Sequence, residues 1–71
     1  MNKYTVILTW DEEASVWYAE SDDIPIALES DSLDTLIKRV RLAAPELLEL
    51  NGKNNKNITL HFEMECQTMV A

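Results

Sequence analysis

The stretch that decides the fold lies at residues 16–25 and reads VWYAESDDIP. Its first half combines β-branched and aromatic residues, a composition that favours a strand. Asp22 and Asp23 then predict a turn, because aspartate side chains bond to nearby backbone amides. Pro25 has no amide hydrogen and restricts Ile24 to extended conformations, so the strand ends there. We expect the other elements to pair with this strand or to pack on it.

A first strand is predicted just before it, at residues 3–10, which read KYTVILTW. Side chains alternate between the two faces of a strand. One face therefore carries Tyr4, Val6, Leu8 and Trp10. The three carboxylates at residues 11–13 predict a solvated hairpin loop, since like charges repel one another in a buried strand.

The length of this loop decides which side chains of the second strand face the core. A four-residue loop at residues 11–14 places Trp17 and Ala19 there, whereas one more residue places Val16 and Tyr18 there. We favour the shorter loop, because the small Ala19 then allows a helix to approach the sheet closely.

A short third strand at residues 26–30 is followed by a helix. Ser32 is suited to cap its first turn, and apolar residues then recur at spacings of three and four. They are Leu33, Leu36, Ile37, Val40, Ala44, Leu47 and Leu48. Pro45 lies inside this run, so we expect one bent helix that ends near Leu50, before Asn51 and Gly52.

A fourth strand is predicted at residues 57–66 from unbroken alternation. The apolar set is Ile58, Leu60, Phe62, Met64 and Cys66, and the polar set is Thr59, His61, Glu63, Glu65 and Gln67. We therefore expect Cys66 to be buried as a small hydrophobic residue, and His61 to lie on the wet face as an ordinary surface side chain.

The element order predicts an α+β fold of the β-β-β-α-β type. The first three strands form an antiparallel meander, and a right-handed crossover through the helix returns the fourth strand parallel to the first. The predicted mixed sheet has the order 3-2-1-4 with one helix on one face. The open face then carries Thr5, Ile7, Thr9, Val16, Tyr18, Thr59 and His61, and we expect an assembly to cover part of it.

Length indicates a single domain over residues 1–71 whose stability is marginal. We expect a homo-oligomer, most simply a two-fold dimer, because the lone cysteine forms no internal disulfide and no cluster of metal ligands is evident. The lone cysteine fits a reducing compartment, and no signal peptide or membrane span is apparent. We therefore expect a soluble, cytoplasmic protein.

Thirteen acidic and six basic side chains give a net charge of −7. Such a surface repels the phosphate backbone, so we expect no direct binding to nucleic acid, whereas a basic protein is attracted. The acidic balance has a second interpretation, which is that it keeps a small domain soluble.

No catalytic motif is present, and the carboxylates of residues 11–13 and 22–23 fall at opposite ends of the second strand. Two-metal hydrolysis needs them to converge, so we expect no enzyme activity, no metal and no cofactor. The candidate partner-binding residues are the aromatic side chains of the hairpin and the acidic turn. They are Trp10, Trp17, Tyr18, Asp22, Asp23, Ile24 and Pro25.

Three segments resemble the N-terminal domain of the HicB-like antitoxins: residues 17–19, the turn at 22–25 and the helix entry at 31–34. Residues 10–17 and 45–51 are still more similar to short uncharacterised bacterial proteins grouped with those antitoxins. The resemblance implies a degenerate ribonuclease-H-like sheet, homo-oligomers and capture of a small basic RNA-cleaving toxin.

The sequence departs from this family at two points. Ile26 stands where the family usually has glycine after the proline of the turn, which predicts a different turn conformation. The antitoxins normally continue into a DNA-binding segment, whereas this sequence ends after its fourth strand, so we expect no direct operator binding.

Two functional hypotheses follow. In the first, the chain is a non-catalytic, antitoxin-like interaction module that binds a basic protein. In the second, it is a small-molecule-binding or enzymatic subunit with a pocket between protomers. We favour the first, because the second requires convergent polar groups.

Overall fold

The computed structural model describes residues 2–53, 56–66 and 70. The elements are β1 (Asn2–Asp11), β2 (Val16–Glu20), β3 (Ala27–Ser30), α1 (Leu33–Leu50) and β4 (Ile58–Glu65). The strands form one sheet in the order β3-β2-β1-β4. β2 is antiparallel to β1 and β3, and β4 is parallel to β1. The predicted topology and fold class are therefore confirmed.

The first hairpin has the predicted faces but a shifted loop. Leu8 pairs with Ala19, and Trp10 pairs with Trp17, so these side chains share the face that the helix covers. β1 continues to Asp11, which leaves residues 12–15 as the loop instead of 11–14. The Asp11 carboxylate causes this shift, because its Oδ1 accepts hydrogen bonds from the amides of Glu13 and Ala14 (3.0 and 3.3 Å) and so caps the loop from the end of the strand.

Helix α1 has the expected ends. The Ser32 hydroxyl accepts a hydrogen bond from the Thr35 amide at 3.3 Å and so caps the first turn. At the other end the Gly52 amide donates to the Glu49 carbonyl, and the Lys53 amide donates to the Leu48 carbonyl. This is a Schellman motif, with Gly52 in the left-handed conformation at φ 69°.

Pro45 lies inside α1, and the helix remains a single element through it. Proline has no amide hydrogen, so residue 45 donates nothing to the Arg41 carbonyl one turn earlier. Within the described residues no helix is long and apolar enough to span a membrane.

The core lies between α1 and the sheet, mainly over β2 and β3. Its buried side chains are Val6, Leu8, Ala19, Ile24, Ile26, Leu36, Val40, Ala44 and Leu48. β4 lies farther from the helix. Leu60 and Phe62 are only half-buried, Met64 is 57% exposed and Cys66 is exposed. The predicted burial of Cys66 is therefore wrong, because β4 stops pairing with β1 at Glu65 and the helix does not cover that end of the sheet.

Candidate partner-binding surface

The acidic turn after β2 is bound to the main chain of β1 at Thr5. The Ser21 hydroxyl donates to the Thr5 carbonyl at 2.5 Å, and the same oxygen accepts from the amides of Asp23 and Ile24. The Asp23 carboxylate in turn accepts the Thr5 amide at 2.9 Å. Both backbone groups of Thr5 are thus satisfied by the turn, which continues the pairing of β1 beyond the end of β2.

The turn is also packed against the core and is hydrogen-bonded to Lys53, which follows the end of helix α1. Ile24 and Ile26 are 1% and 5% exposed, and the Ile26 amide donates to the Ile24 carbonyl across Pro25 at 2.7 Å. The Lys53 ammonium donates to the Asp23 carbonyl at 2.9 Å. Ile26 therefore contributes its side chain to the core.

The seven sequence-predicted residues fall in three separate places. Trp10 and Trp17 contact each other on the helix side of the sheet, with ring centroids 5.4 Å apart and planes tilted by 55°. Tyr18 projects from the opposite face. The turn at residues 22–25 follows the other end of β2, and there Asp22 and Pro25 are exposed, whereas Ile24 presents almost no surface to a partner.

The open face of the sheet is acidic. The strand register aligns its side chains in two rows. The first row is Glu29, Tyr18, Thr9 and Glu65, and the second is Ala27, Glu20, Ile7 and Glu63. Asp11 lies on the same face and interacts with Tyr18. We call this surface the acidic sheet face and define it by Asp11, Tyr18, Glu20, Glu29, Glu63 and Glu65.

Tyr18 lies at the centre of this face, between the carboxylates of Asp11 and Glu29. Desolvation raises the pKa of its phenol above the ordinary value of 10.0, and the charges of Asp11 and Glu29 and hydrogen bonds to them raise it further. The protonated hydroxyl is therefore held as a donor to carboxylates.

A shallow groove of about 380 Å³ runs past the Tyr18 ring. Its lining residues are Thr9, Tyr18, Ala19, Glu20, Ala27, Leu28 and Glu29. The groove joins an aromatic ring and small apolar groups to two carboxylates, which is the environment that suits the stem and the charged head of lysine or arginine.

Sequence reasoning placed Glu63 and Glu65 in the polar set of the fourth strand but missed Glu20 and Glu29 on this surface. It assigned Thr5, Ile7, Thr9 and His61 to the open face and used alternation to sort apolar residues into the core. The same alternation, applied to the carboxylates, places Glu20 and Glu29 beside Tyr18 once the strand order is fixed.

The arrangement of carboxylates does not favour metal chemistry in the described part of the chain. Asp11 and Asp22 flank opposite ends of β2. Among residues 2–53, 56–66 and 70, no group of three or more histidine, cysteine, aspartate or glutamate side chains is placed to hold a metal ion. The absence of catalysis stays a prediction.

A family described as "Domain of unknown function (DUF1902)" matches residues 3–71. The chain belongs to this family. A solved structure similar to this DUF1902 chain is the hypothetical protein TTHA1013 from the extremely thermophilic bacterium Thermus thermophilus. The two are 35% identical, the match covers 99% of each chain, and they superpose with a TM-score of 0.75. No curated protein matches this DUF1902 chain.

Proposed function

We propose that this DUF1902 protein is a non-catalytic, antitoxin-like interaction module that forms a homo-oligomer and captures a small basic RNA-cleaving protein. The observation that carries the proposal is the acidic sheet face, where five carboxylates share one face of four adjacent strands with Tyr18. The resemblance of residues 17–19, 22–25 and 31–34 to HicB-like antitoxins supports the same kind of partner.

The distribution of charge on the acidic sheet face supports a basic protein as the binding partner. The five acidic residues lie on strands, so the backbone fixes the points at which their side chains leave the sheet before a partner arrives. Lys3 is the one lysine or arginine on this face within the described strands. Together with the net charge of −7, this surface attracts a cationic protein and accelerates its encounter.

The groove beside Tyr18 supports a specific contact within this larger field. A guanidinium that stacks on the phenol ring also reaches the Glu29 carboxylate, since Tyr18 and Glu29 are paired neighbours on β2 and β3. Cation–π and charge-assisted hydrogen bonds then act on the same group. An arginine of the basic partner fits the groove best, because its guanidinium can stack on the Tyr18 ring and pair with the Glu29 carboxylate.

The acidic turn has a divided role in this proposal. Asp22 is exposed in the turn that follows β2, where its carboxylate adds to the negative charge of the chain. The Asp23 carboxylate accepts a hydrogen bond from the Thr5 amide, and the Ile24 side chain is buried. Both residues therefore act by stabilising the turn.

The proposal is tested by co-expression with the small basic protein that we expect to be encoded next to this chain. That protein alone should arrest growth and degrade cellular RNA. Co-expression of the wild-type chain should restore growth, and the two proteins should purify together. A neighbouring protein that is not basic, or whose toxicity this chain leaves unchanged, contradicts the proposal.

A matched pair of variants locates the surface in the same assay. Glu20→Lys with Glu29→Lys reverses two charges of the acidic sheet face and should abolish rescue. Glu13→Lys with Glu46→Lys changes the net charge equally at positions in the hairpin loop and on α1, neither of which belongs to the acidic sheet face, and should retain rescue. Equal rescue by both pairs shows that the sheet face is not the binding surface.

A further inference from the structure

The two edge strands of the sheet, β3 and β4, differ in how accessible their outer backbone groups are to another strand. β3 has four residues, and the Arg39 guanidinium donates to the Glu29 carbonyl on it at 2.9 Å. β4 has eight residues, ITLHFEME, and pairs with β1 along its inner side throughout. None of the described strands lies on the outer side of β4. Long edge strands without proline, glycine or lysine are templates for another strand.

Apolar surface adjoins this edge on the helix side. A groove of about 300 Å³ separates β4 from α1, and its lining residues are Arg41, Pro45, Ile58, Leu60 and Phe62. Farther along the same strand Met64 is 57% exposed. An additional strand placed beside β4 covers part of this surface as well as satisfying the backbone edge.

We propose that β4 pairs antiparallel with β4 of a second copy of the chain around a two-fold axis at Phe62. The two four-stranded sheets then form one continuous sheet. In this register His61 lies opposite the partner's Glu63, and Leu60 lies opposite the partner's Met64. This inference rests on the homo-oligomer in the proposed function and assigns its interface.

Hydrogen bonding between His61 and Glu63 favours this register over two-fold axes at the neighbouring residues 61 and 63. An axis at Glu63 places two identical carboxylates directly opposite each other, which is unfavourable. An axis at His61 places Glu63 opposite the partner's Thr59 and places the two His61 side chains opposite each other, so no pair of His61 with Glu63 forms across the interface. An axis at Phe62 gives two equivalent pairs of His61 with the partner's Glu63. Within one chain the His61 Nε2 is already 3.5 Å from Glu63 Oε1, so the interface brings together two such pairs.

The interface leaves the Tyr18 groove accessible, whereas Glu63 of the acidic sheet face pairs across the interface with the partner's His61. An axis perpendicular to the sheet keeps the open faces of both protomers on the same side. The two Tyr18 grooves therefore face the same way, and a dimer presents two such grooves.

Cysteine cross-linking tests the register directly. Two variants are prepared in a Cys66→Ser background, one with His61→Cys and one with Glu63→Cys. Mixed under mild oxidation, they should form a disulfide between the two variants, whereas each alone should not. Cross-linking of His61→Cys alone, or of Glu63→Cys alone, shows that the axis lies at that residue and overturns the proposed register.

Sedimentation equilibrium tests the interface itself. His61→Glu places a carboxylate opposite the partner's Glu63 and should raise the dimer dissociation constant about tenfold, since the axis repeats each like-charge contact. Ala14→Glu adds the same charge at an exposed loop position and should leave the constant unchanged. A monomeric wild-type protein, or equal effects of both variants, overturns the interface.

The result is separable from the proposed function. A wild-type monomer that still neutralises the basic partner removes the β4 interface and leaves capture intact. A dimer with the expected cross-link that neutralises nothing removes capture and leaves the interface intact.

Discussion

The acidic turn contains two neighbouring aspartates, Asp22 and Asp23. Their side chains are identical, but their roles in the structure differ. Asp22 is exposed, whereas Asp23 accepts the Thr5 amide and is linked through its carbonyl to Lys53. The sequence predicts a turn at this site, because both residues are good turn formers. It does not predict which aspartate is structural, since the Thr5 amide lies 18 positions away along the chain.

Truncation of the two aspartates should therefore have unequal effects on stability. Asp23→Ala removes the acceptor of the Thr5 amide and should lower the free energy of unfolding by about 0.5–1.5 kcal/mol. Asp22→Ala should change it by less than about 0.5 kcal/mol. Urea denaturation of both variants measures the difference, and equal midpoints would show that the bond to Thr5 contributes nothing.

Tyr18 offers a second prediction at the residue scale. Its pKa is raised by desolvation and by Asp11 and Glu29, so the phenol ionises at higher pH in the folded state than in the unfolded state. The resulting stabilisation is complete below pH 10.0 and is lost as pH rises through the folded-state pKa. Tyrosinate absorbance in a Tyr4→Phe protein should place the Tyr18 transition above 10.0.

Neutral replacements identify the cause of this shift. Asp11→Asn with Glu29→Gln keeps the side-chain shapes, and the new amide at position 11 retains an oxygen that can cap the loop. The pKa of Tyr18 should move down towards the ordinary tyrosine value. An unchanged transition in this double variant would assign the whole shift to desolvation.

Hydrophobic periodicity predicts which segments form the strands and the helix. Polar contacts determine where those elements begin and end. Alternation predicts the strands, and spacings of three and four predict the apolar stripe of α1. The hairpin loop is displaced by one residue because the Asp11 carboxylate caps it from within β1. Alternation also predicted a buried Cys66, since a pattern in one strand carries no information about how far the helix extends over the sheet.

Ser15, the last residue of the hairpin loop, is a position where a substitution should stabilise the protein. Ser15 has φ 55°, a left-handed conformation that is costly for residues with a Cβ. Ser15→Gly should raise the free energy of unfolding by about 0.5–1 kcal/mol. Glu12→Gly, in the same loop without a positive φ, should lower it by a similar amount. Thermal unfolding of the two variants checks the opposite signs, and destabilisation by Ser15→Gly would contradict the strain.

Two leucines of α1 provide a matched test of the core. Leu36 is fully buried, whereas Leu42 is 76% exposed on the same helix. Leu36→Ala should cost about 2–5 kcal/mol, because it leaves a cavity. Leu42→Ala should cost less than about 0.5 kcal/mol, and similar losses in chemical denaturation would show that α1 presents a different face to the sheet.

At the scale of the whole molecule, one helix on a four-stranded sheet leaves a complete sheet face uncovered. The strand order follows from the sequence, because short loops and a right-handed crossover leave few topologies. The acidic sheet face does not follow as readily. Glu20, Glu29 and Glu63 are distant in sequence and join only through the register of three strand pairs. The predicted binding site was therefore built from local neighbours, and the fold separates Trp10 and Trp17 from Tyr18.

The central claim is that the acidic sheet face captures a basic protein by electrostatic attraction. Its most direct test is the association rate constant with the basic neighbour, measured by stopped-flow fluorescence over a series of salt concentrations. The rate should fall as salt rises, because ions screen the attraction. Glu20→Lys with Glu29→Lys should slow association at least about tenfold at low salt, whereas Glu13→Lys with Glu46→Lys should slow it by less than about threefold. A rate that is independent of salt, or equal slowing by the two pairs of variants, would contradict the claim.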